Sequence, residues 1–428
     1  MAKMPLLLFL GLLLFAASLG AEVTVHTIHE KGIAGTLVSI EKDGKLTLRS
    51  KDGKERTLAC AEVIRIVLSQ GLGKGAEEDT ELVFHNGDRM YGEIGEADPK
   101  SQGQEIPFRG RSFDRVVVEL GAIRWVKFPR GRTKLLAVPP GESGRDYVFK
   151  TNGDRISGTV DSLYADRVGI DRSGTVTRIP TDEVLGIYAS PLEEFPAPED
   201  LYAVIRLRSG DRLAVRIDGF REGVFRVRHG FAKVFAMQGE SRTEKPLEIA
   251  EEEVLSVSFR NGLFVYVSDL EPAAIEQVKY CWDEPKIFKP PFGRQRILNF
   301  RRDRSYGGNP LTLAGKQYAK GIGSHTWCKI TYALEGKYQK FEAVIGVDDE
   351  VLRLSERGSV IFRVEADGKE IYRSPVLTGG GKPQHISVPL AGVKTLALVA
   401  DYSGDVFDGK DDCVCDRADW ADAILAKK

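Results

Sequence analysis

Two kinds of side chain that suit an uncharged, hydroxyl-rich molecule recur in the C-terminal part of this 428-residue chain. His325, Trp327, Asp348, Asp349, Asp419 and Trp420 combine planar hydrogen-bonding groups with flat aromatic faces. A sugar needs both: donors and acceptors for its hydroxyls, and an aromatic face for the C–H surface of its ring. Packing roles are open to the same residues. Trp420 within DWADAIL suits a core position equally well, and His325 can tie down the glycines that precede it.

The carboxylates raise a second chemistry. Asp348, Asp349 and Glu350 stand together, while Asp401, Asp405, Asp408, Asp411, Asp412, Asp416, Asp419 and Asp422 crowd the last segment. So many carboxylates repel unless solvated, paired with Lys or Arg, or bridged by a hard cation such as Ca²⁺. Their spacing does not follow the D-x-D-x-D-G pattern of a calcium loop, so solvation is the first reading and no cofactor is expected, Ca²⁺ being the one candidate. Cys413 and Cys415 form a C-x-C without a second Cys/His pair at zinc spacing. Five scattered cysteines make no disulfide framework, and Cys328 reads as a buried apolar residue.

The elements that must position these groups are strands. Cys328, Ile330, Tyr332 and Leu334 alternate with Lys329, Thr331 and Ala333, the period of a half-buried strand. Gly321 and Gly323 lie just before it, which predicts a flexible entry that delivers His325 and Trp327 to the mouth of the strand. Further alternations run through Phe341, Ala343 and Ile345; Val360, Phe362 and Val364; Ile386, Val388 and Leu390; and Leu396, Leu398 and Ala400. Turn residues bound each one, so two packed antiparallel sheets follow.

This region resembles the NPCBM family. The resemblance rests on GIGSH at 321–325, Tyr338 and Phe341, GVDD at 346–349, GSVIFRVEADGKEIYRS at 358–374 and DRADWADA at 416–423. It implies a carbohydrate-binding module with a galactose-binding-like β-sandwich, a jelly roll, and a glycan as partner. The chain departs from the family pattern at Cys415-Asp416-Arg417, where Asp-His is more usual.

Upstream lies an internal repeat. One copy runs from Thr151 to Ala189, and others start at HNGDRMYGEI, RSGDRLAVRI and EKGIAGTLVSI, the last without the aspartate. Gly32 to Val63 and Gly153 to Val184 both span 31 positions. The second and fourth copies carry extra residues, which belong in hairpin tips because loop length costs little. Units of this size suit small SH3- or Sm-like β-barrels, neighbours packing side by side. The Asn-Gly and Ser-Gly turns make Asp88, Asp154 and Asp211 structural residues first.

The expected fold class is therefore all-β: an array of small SH3/Sm-like β-barrel repeats followed by the sandwich. Expected boundaries are a signal peptide at 1–21, repeats at 22–75, 80–138, 146–190 and 200–261, and the sandwich at 262–428. Residues 1–21 carry Lys3, an apolar run from Pro5 to Phe15, and small residues before Glu22. That run is too short to span a bilayer, and no later segment suits one, so export without membrane insertion is expected. Proline-rich stretches at 139–140, 191–198 and 285–291 read as connectors, and AAIEQVKY after Pro272 reads as one short helical turn.

Charge gives no partner: 61 Lys and Arg balance 62 Asp and Glu, and nucleic acid is not expected. No G-x-S-x-G, H-E-x-x-H, P-loop or post-strand G-x-G-x-x-G is present, and no domain is left to hold a glycosidase carboxyl pair. An exported, non-catalytic carbohydrate-binding protein is the first reading, its repeats acting as stalk or interaction platform. A cell-envelope protein whose repeats bind other proteins, without sugar binding, is the alternative.

Overall fold

The structure, a computed structural model, describes residues 21–69, 73–96, 101–131, 136, 144–191, 198–231, 233–238, 241–277, 300–403 and 415–427. The signal-peptide segment up to Gly20, the prolines at 139, 140, 196, 285, 290 and 291, Cys281, Cys413, Asp405, Asp408, Asp411 and Asp412 lie outside the described residues. Strands and short 3₁₀ turns make up the regular structure of the described residues. The chain divides into two compact units, Met1–Arg260 and Asn261–Lys428.

In the first unit each repeat is a five-stranded antiparallel meander. In the first copy Val63–Val67 lies beside Glu22–Thr27, followed by Ile33–Ile40, Lys45–Arg49 and Glu55–Ala59. A 3₁₀ turn, Cys60–Glu62, brings the chain back to pair its last strand with its first. The same order and the same turn recur in the other three copies, with turns at Leu120–Ala122, Thr181–Glu183 and Glu251–Glu253. Val23, Leu46, Ile66, Phe84, Phe108, Val148, Ile170, Val215 and Phe225 belong to one continuous buried core spanning all four.

The repeats do not pack in chain order. The last strand of the first copy pairs with that of the fourth, Val257 opposite Ile66, and the last strand of the second pairs with that of the third, Val126 opposite Ile187. The fourth copy also reaches the second. Its extra residues are not a free hairpin tip: Val234–Gln238 adds to Arg115–Glu119 of the second copy. A reciprocal pair of aspartates completes that contact. Asp88 accepts from the Ala214 amide at 2.9 Å, and Asp211 accepts from the Tyr91 amide at 2.8 Å.

The second unit is a two-sheet sandwich. One sheet runs in the order Arg301–Arg302, Gly321–His325, Arg417–Lys427, Tyr338–Val347, Gln384–Pro389, with Phe264–Tyr266 also on the Arg417–Lys427 strand. The other runs Ala274–Gln277, Cys328–Ala333, Thr395–Tyr402, Ser359–Ala366, Lys369–Arg373. The alternating residues face inward as their period requires: Ile330, Tyr332, Phe341, Ile345, Phe362, Val364, Ile386, Val388, Leu396 and Leu398 are all buried in one cluster. Two local expectations change. AAIEQ forms a strand, not a helical turn, because Ala274–Gln277 finds ladder partners on Cys328–Thr331. GIGSH is likewise a paired strand, not a flexible entry, held between Arg301–Arg302 and Arg417–Lys427.

Candidate functional site

The glycines of GIGSH allow close approach. A Cβ on Gly323 would sit 2.4 Å from the Arg304 carbonyl oxygen, so only glycine lets residues 304–305 lie flat on the strand. Across the sheet Gly323 pairs with Asp419, which pairs in turn with Gly346. A Cβ on Gly346 would come within 3.0 Å of Leu313. Two segments thus cover the outer face of this row: the loop around 304–309, and the hairpin Leu311–Leu313 with Lys316–Tyr318.

Asp419 lies beneath them with no exposed surface, and neither of its oxygens has a hydrogen-bond partner among the described residues. Its neighbour is the carboxyl of Asp348, itself buried. Burial, reinforced by Asp348, holds Asp419 protonated well above the usual carboxylate range. Asp348 accepts from the amides of Thr312 and Glu350, each at 2.8 Å, and Asp349 accepts from those of Ala314 and Gly315. Both carboxylates therefore anchor the hairpin. Engaged with backbone amides, they do not fit a Ca²⁺ site, and among the described residues no group of three or more His, Cys, Asp or Glu is placed to hold a metal.

Glu350 does the equivalent work for the loop. It accepts from Ser305 Oγ at 2.8 Å, the Gly307 amide at 2.9 Å and Asn309 Nδ2 at 2.8 Å, and pairs with Arg417 at 3.0 Å. Although burial opposes ionisation, these hydrogen bonds outweigh it and hold the carboxyl below its ordinary value. The loop so fixed presents Tyr306, whose ring lies 5.1 Å from that of His325 and 6.0 Å from the Arg417 guanidinium. Arg301 donates from Nε to the Tyr306 carbonyl at 2.8 Å.

His325 ends its strand opposite Arg417. Its Nδ1 is 2.9 Å from the Thr326 carbonyl oxygen, which assigns the proton to Nδ1 and leaves Nε2 as an acceptor. Burial lowers its pKa, so the ring is neutral and Nε2 carries no proton. Trp327 follows, half-buried, after a cis Thr326–Trp327 peptide.

Of the six residues singled out by sequence, His325 lies at this half-exposed surface, and Trp327, also half-buried, follows it by two positions. Asp348, Asp349 and Asp419 lie on the hairpin side as its supports. Trp420 is corrected to a core residue: it is 1% exposed and its ring packs edge-on against Phe362 at 5.0 Å. Sequence reasoning passed over Tyr306 and Arg417, which the chain brings beside His325, and Glu350, which secures them. The available signal was the Gly-Gly-Asn turn after Tyr306, a loop that needs an anchor.

Comparison with known proteins adds the family. The NPCBM/NEW2 domain model matches residues 293–426. A protein of Renibacterium salmoninarum named as an endo-alpha-N-acetylgalactosaminidase is 42% identical over 97 residues, 23% of this chain and 6% of that protein. Alpha-1,3-galactosidase B of Akkermansia muciniphila is 33% identical over 133 residues, 30% of this chain and 16% of that enzyme. The chain thus spans a small part of the length of these relatives. Among solved structures, the CBM51 module from Clostridium perfringens GH95 in complex with methyl-galactose is 32% identical, covering 38% of this chain and 99% of that one, with a TM-score of 0.30. Residues 293–426 of this chain are an NPCBM/NEW2 domain.

Proposed function

We propose that the sandwich binds a glycan, without catalysis, through the surface formed by Tyr306, His325, Trp327 and Arg417. The observation that carries this reading is the neutral imidazole of His325, its Nε2 unprotonated, set beside the Tyr306 ring, which in turn lies near the Arg417 guanidinium. Such a group suits a sugar hydroxyl, Arg417 supplies N–H donors, and Tyr306 and Trp327 supply flat apolar faces. Two carboxyls near this surface suit binding without catalysis: Asp419 is held protonated beneath the hairpin, and Glu350 is engaged by four partners. The chain is read as exported from its first 21 residues; among the described residues no helix is long and apolar enough to cross a membrane.

By name the two curated relatives act on galactosides and N-acetylgalactosaminides, so those sugars head the test panel. Calorimetric titration of the whole chain with methyl-galactoside, N-acetylgalactosamine and a glucose control should give a dissociation constant on the order of 0.1 to 1 mM for one class. Tyr306→Ala should weaken it at least tenfold, and Asp422→Asn, on the far part of the last strand, should not. Failure of every sugar on a broad glycan array would end the reading.

A further inference from the structure

We propose that the third repeat joins two copies of this chain through Asp154, by the same contact that joins the second and fourth repeats within one chain. The template is the aspartate exchange already described. Asp88 stands three residues before Tyr91, Asp211 three before Ala214, and each carboxylate takes the amide of the other strand's third residue. Arg89 and Arg212 face each other at the centre, so the contact has a local twofold axis. Arg212 also donates to Asp88 at 3.1 Å, and His229 lies 3.0 Å from the same carboxylate.

The third repeat carries the same device, with no partner strand on it among the described residues. Asn152 Nδ2 donates to Asp154 at 2.8 Å and the Asp154 amide donates to Asn152 Oδ1 at 3.0 Å. Asn86 and Asp88 make the same two bonds at the same two distances, so the turn holds both carboxylates in one pose. Asp88 and Asp211 are buried, whereas Asp154 is exposed. The third residue on is Ser157, which pairs with Tyr147 in the register in which Tyr91 pairs with Glu81, so its amide points to the same outer edge. Residues 155–158 pair with Asp146–Lys150 alone, the second ladder beginning at Thr159 opposite Asp171. That outer edge has no ladder partner among the described residues.

The occupant follows from the geometry. Donor and acceptor lie on one strand, so a partner must offer both in the opposite direction. The first repeat lacks the aspartate, with Ile33 in its place, and the second and fourth already satisfy each other. A second copy of the third repeat is complementary to the first by symmetry, and such a contact closes as a pair without propagating. Charge agrees. Arg155 takes the place of Arg212, and Arg172, one register step beyond Asp171, takes that of His229, so each Asp154 would meet guanidinium groups.

A contact of a few strand residues is smaller than a standard interface of about 1,600 Å², so a dissociation constant on the order of 10 to 100 μM is expected. Sedimentation velocity on the whole chain across that range should show a reversible dimer. Asp154→Lys should weaken it at least tenfold while leaving the melting temperature in place, because the side chain is exposed. Arg155→Cys should form a disulfide-linked dimer absent from the parent chain, since residues facing each other across a twofold ladder lie within disulfide reach. A chain that stays monomeric to about 200 μM, a dimer indifferent to Asp154→Lys, or an Arg155→Cys variant with no added covalent dimer would each overturn the proposal.

Discussion

The carboxyl group of Asp419, wholly buried, neighbours that of Asp348, and burial together with this second carboxyl holds its proton well above the usual carboxylate range. The sign of its pH effect follows. Asp419 keeps its proton in the folded chain at pH values where the unfolded chain has released it, near pH 4. The folded state then binds more protons, so stability falls as pH rises from about 4 toward the raised folded value and is flat beyond it. Asp419→Asn cannot ionise and removes this loss. Calorimetric melting of the sandwich at a series of pH values should show the variant gaining on the parent chain as pH increases; parallel curves would contradict the retained proton on Asp419.

Glu350 is the opposite case, a buried carboxylate with its acceptor sites filled by Ser305, Gly307, Asn309 and Arg417. Glu350→Ala leaves Arg417 without its partner and frees the loop that presents Tyr306. A cost of about 3 kcal/mol is expected, the range for removing one partner of a buried pair. Denaturant melts of the whole chain measure it, and sugar affinity should fall at least tenfold in the same variant.

Much of this was legible in the sequence and some was not. The alternations from Cys328 through Ala400 report which face of each strand is buried, because period 2 is a property of the strand itself. The GIGSH glycines showed that something special happens there, but not what: Gly323 is required by the Arg304 carbonyl, some twenty positions earlier in the chain, and local pattern carries no distance information. Trp420 and His325 are both ring-bearing residues beside aspartate or serine, and only the packing of Phe362 on one and Tyr306 on the other separates core from surface. The fourfold repeat was visible through its spacing, whereas its packing order was not, since that depends on which edges Asp88 and Asp211 reach. The likeness of those meanders to SH3- or Sm-like barrels remains a proposal resting on their size.

Gly323→Ala and Gly346→Ala separate two kinds of crowding. At Gly323 the added carbon meets backbone at 2.4 Å, and at Gly346 it meets the end of the Leu313 side chain at 3.0 Å. Backbone cannot step aside, so Gly323→Ala should cost about 2 kcal/mol or more, the upper range for overpacking, and Gly346→Ala about 1 kcal/mol or less. Equal costs, read from denaturant midpoints, would count against the close approach of residues 304–305.

The most direct measurement is a nitrogen NMR titration of the imidazoles. The chain has six histidines, so a histidine-labelled sample with His325→Ala as the assignment control resolves the ring in question. On adding methyl-galactoside or N-acetylgalactosamine, the unprotonated Nε2 of His325 should shift with the saturation curve of binding, as an acceptor gaining a hydroxyl donor, while the other five histidines stay in place. Sugar binding that saturates by calorimetry with His325 unmoved would contradict the site.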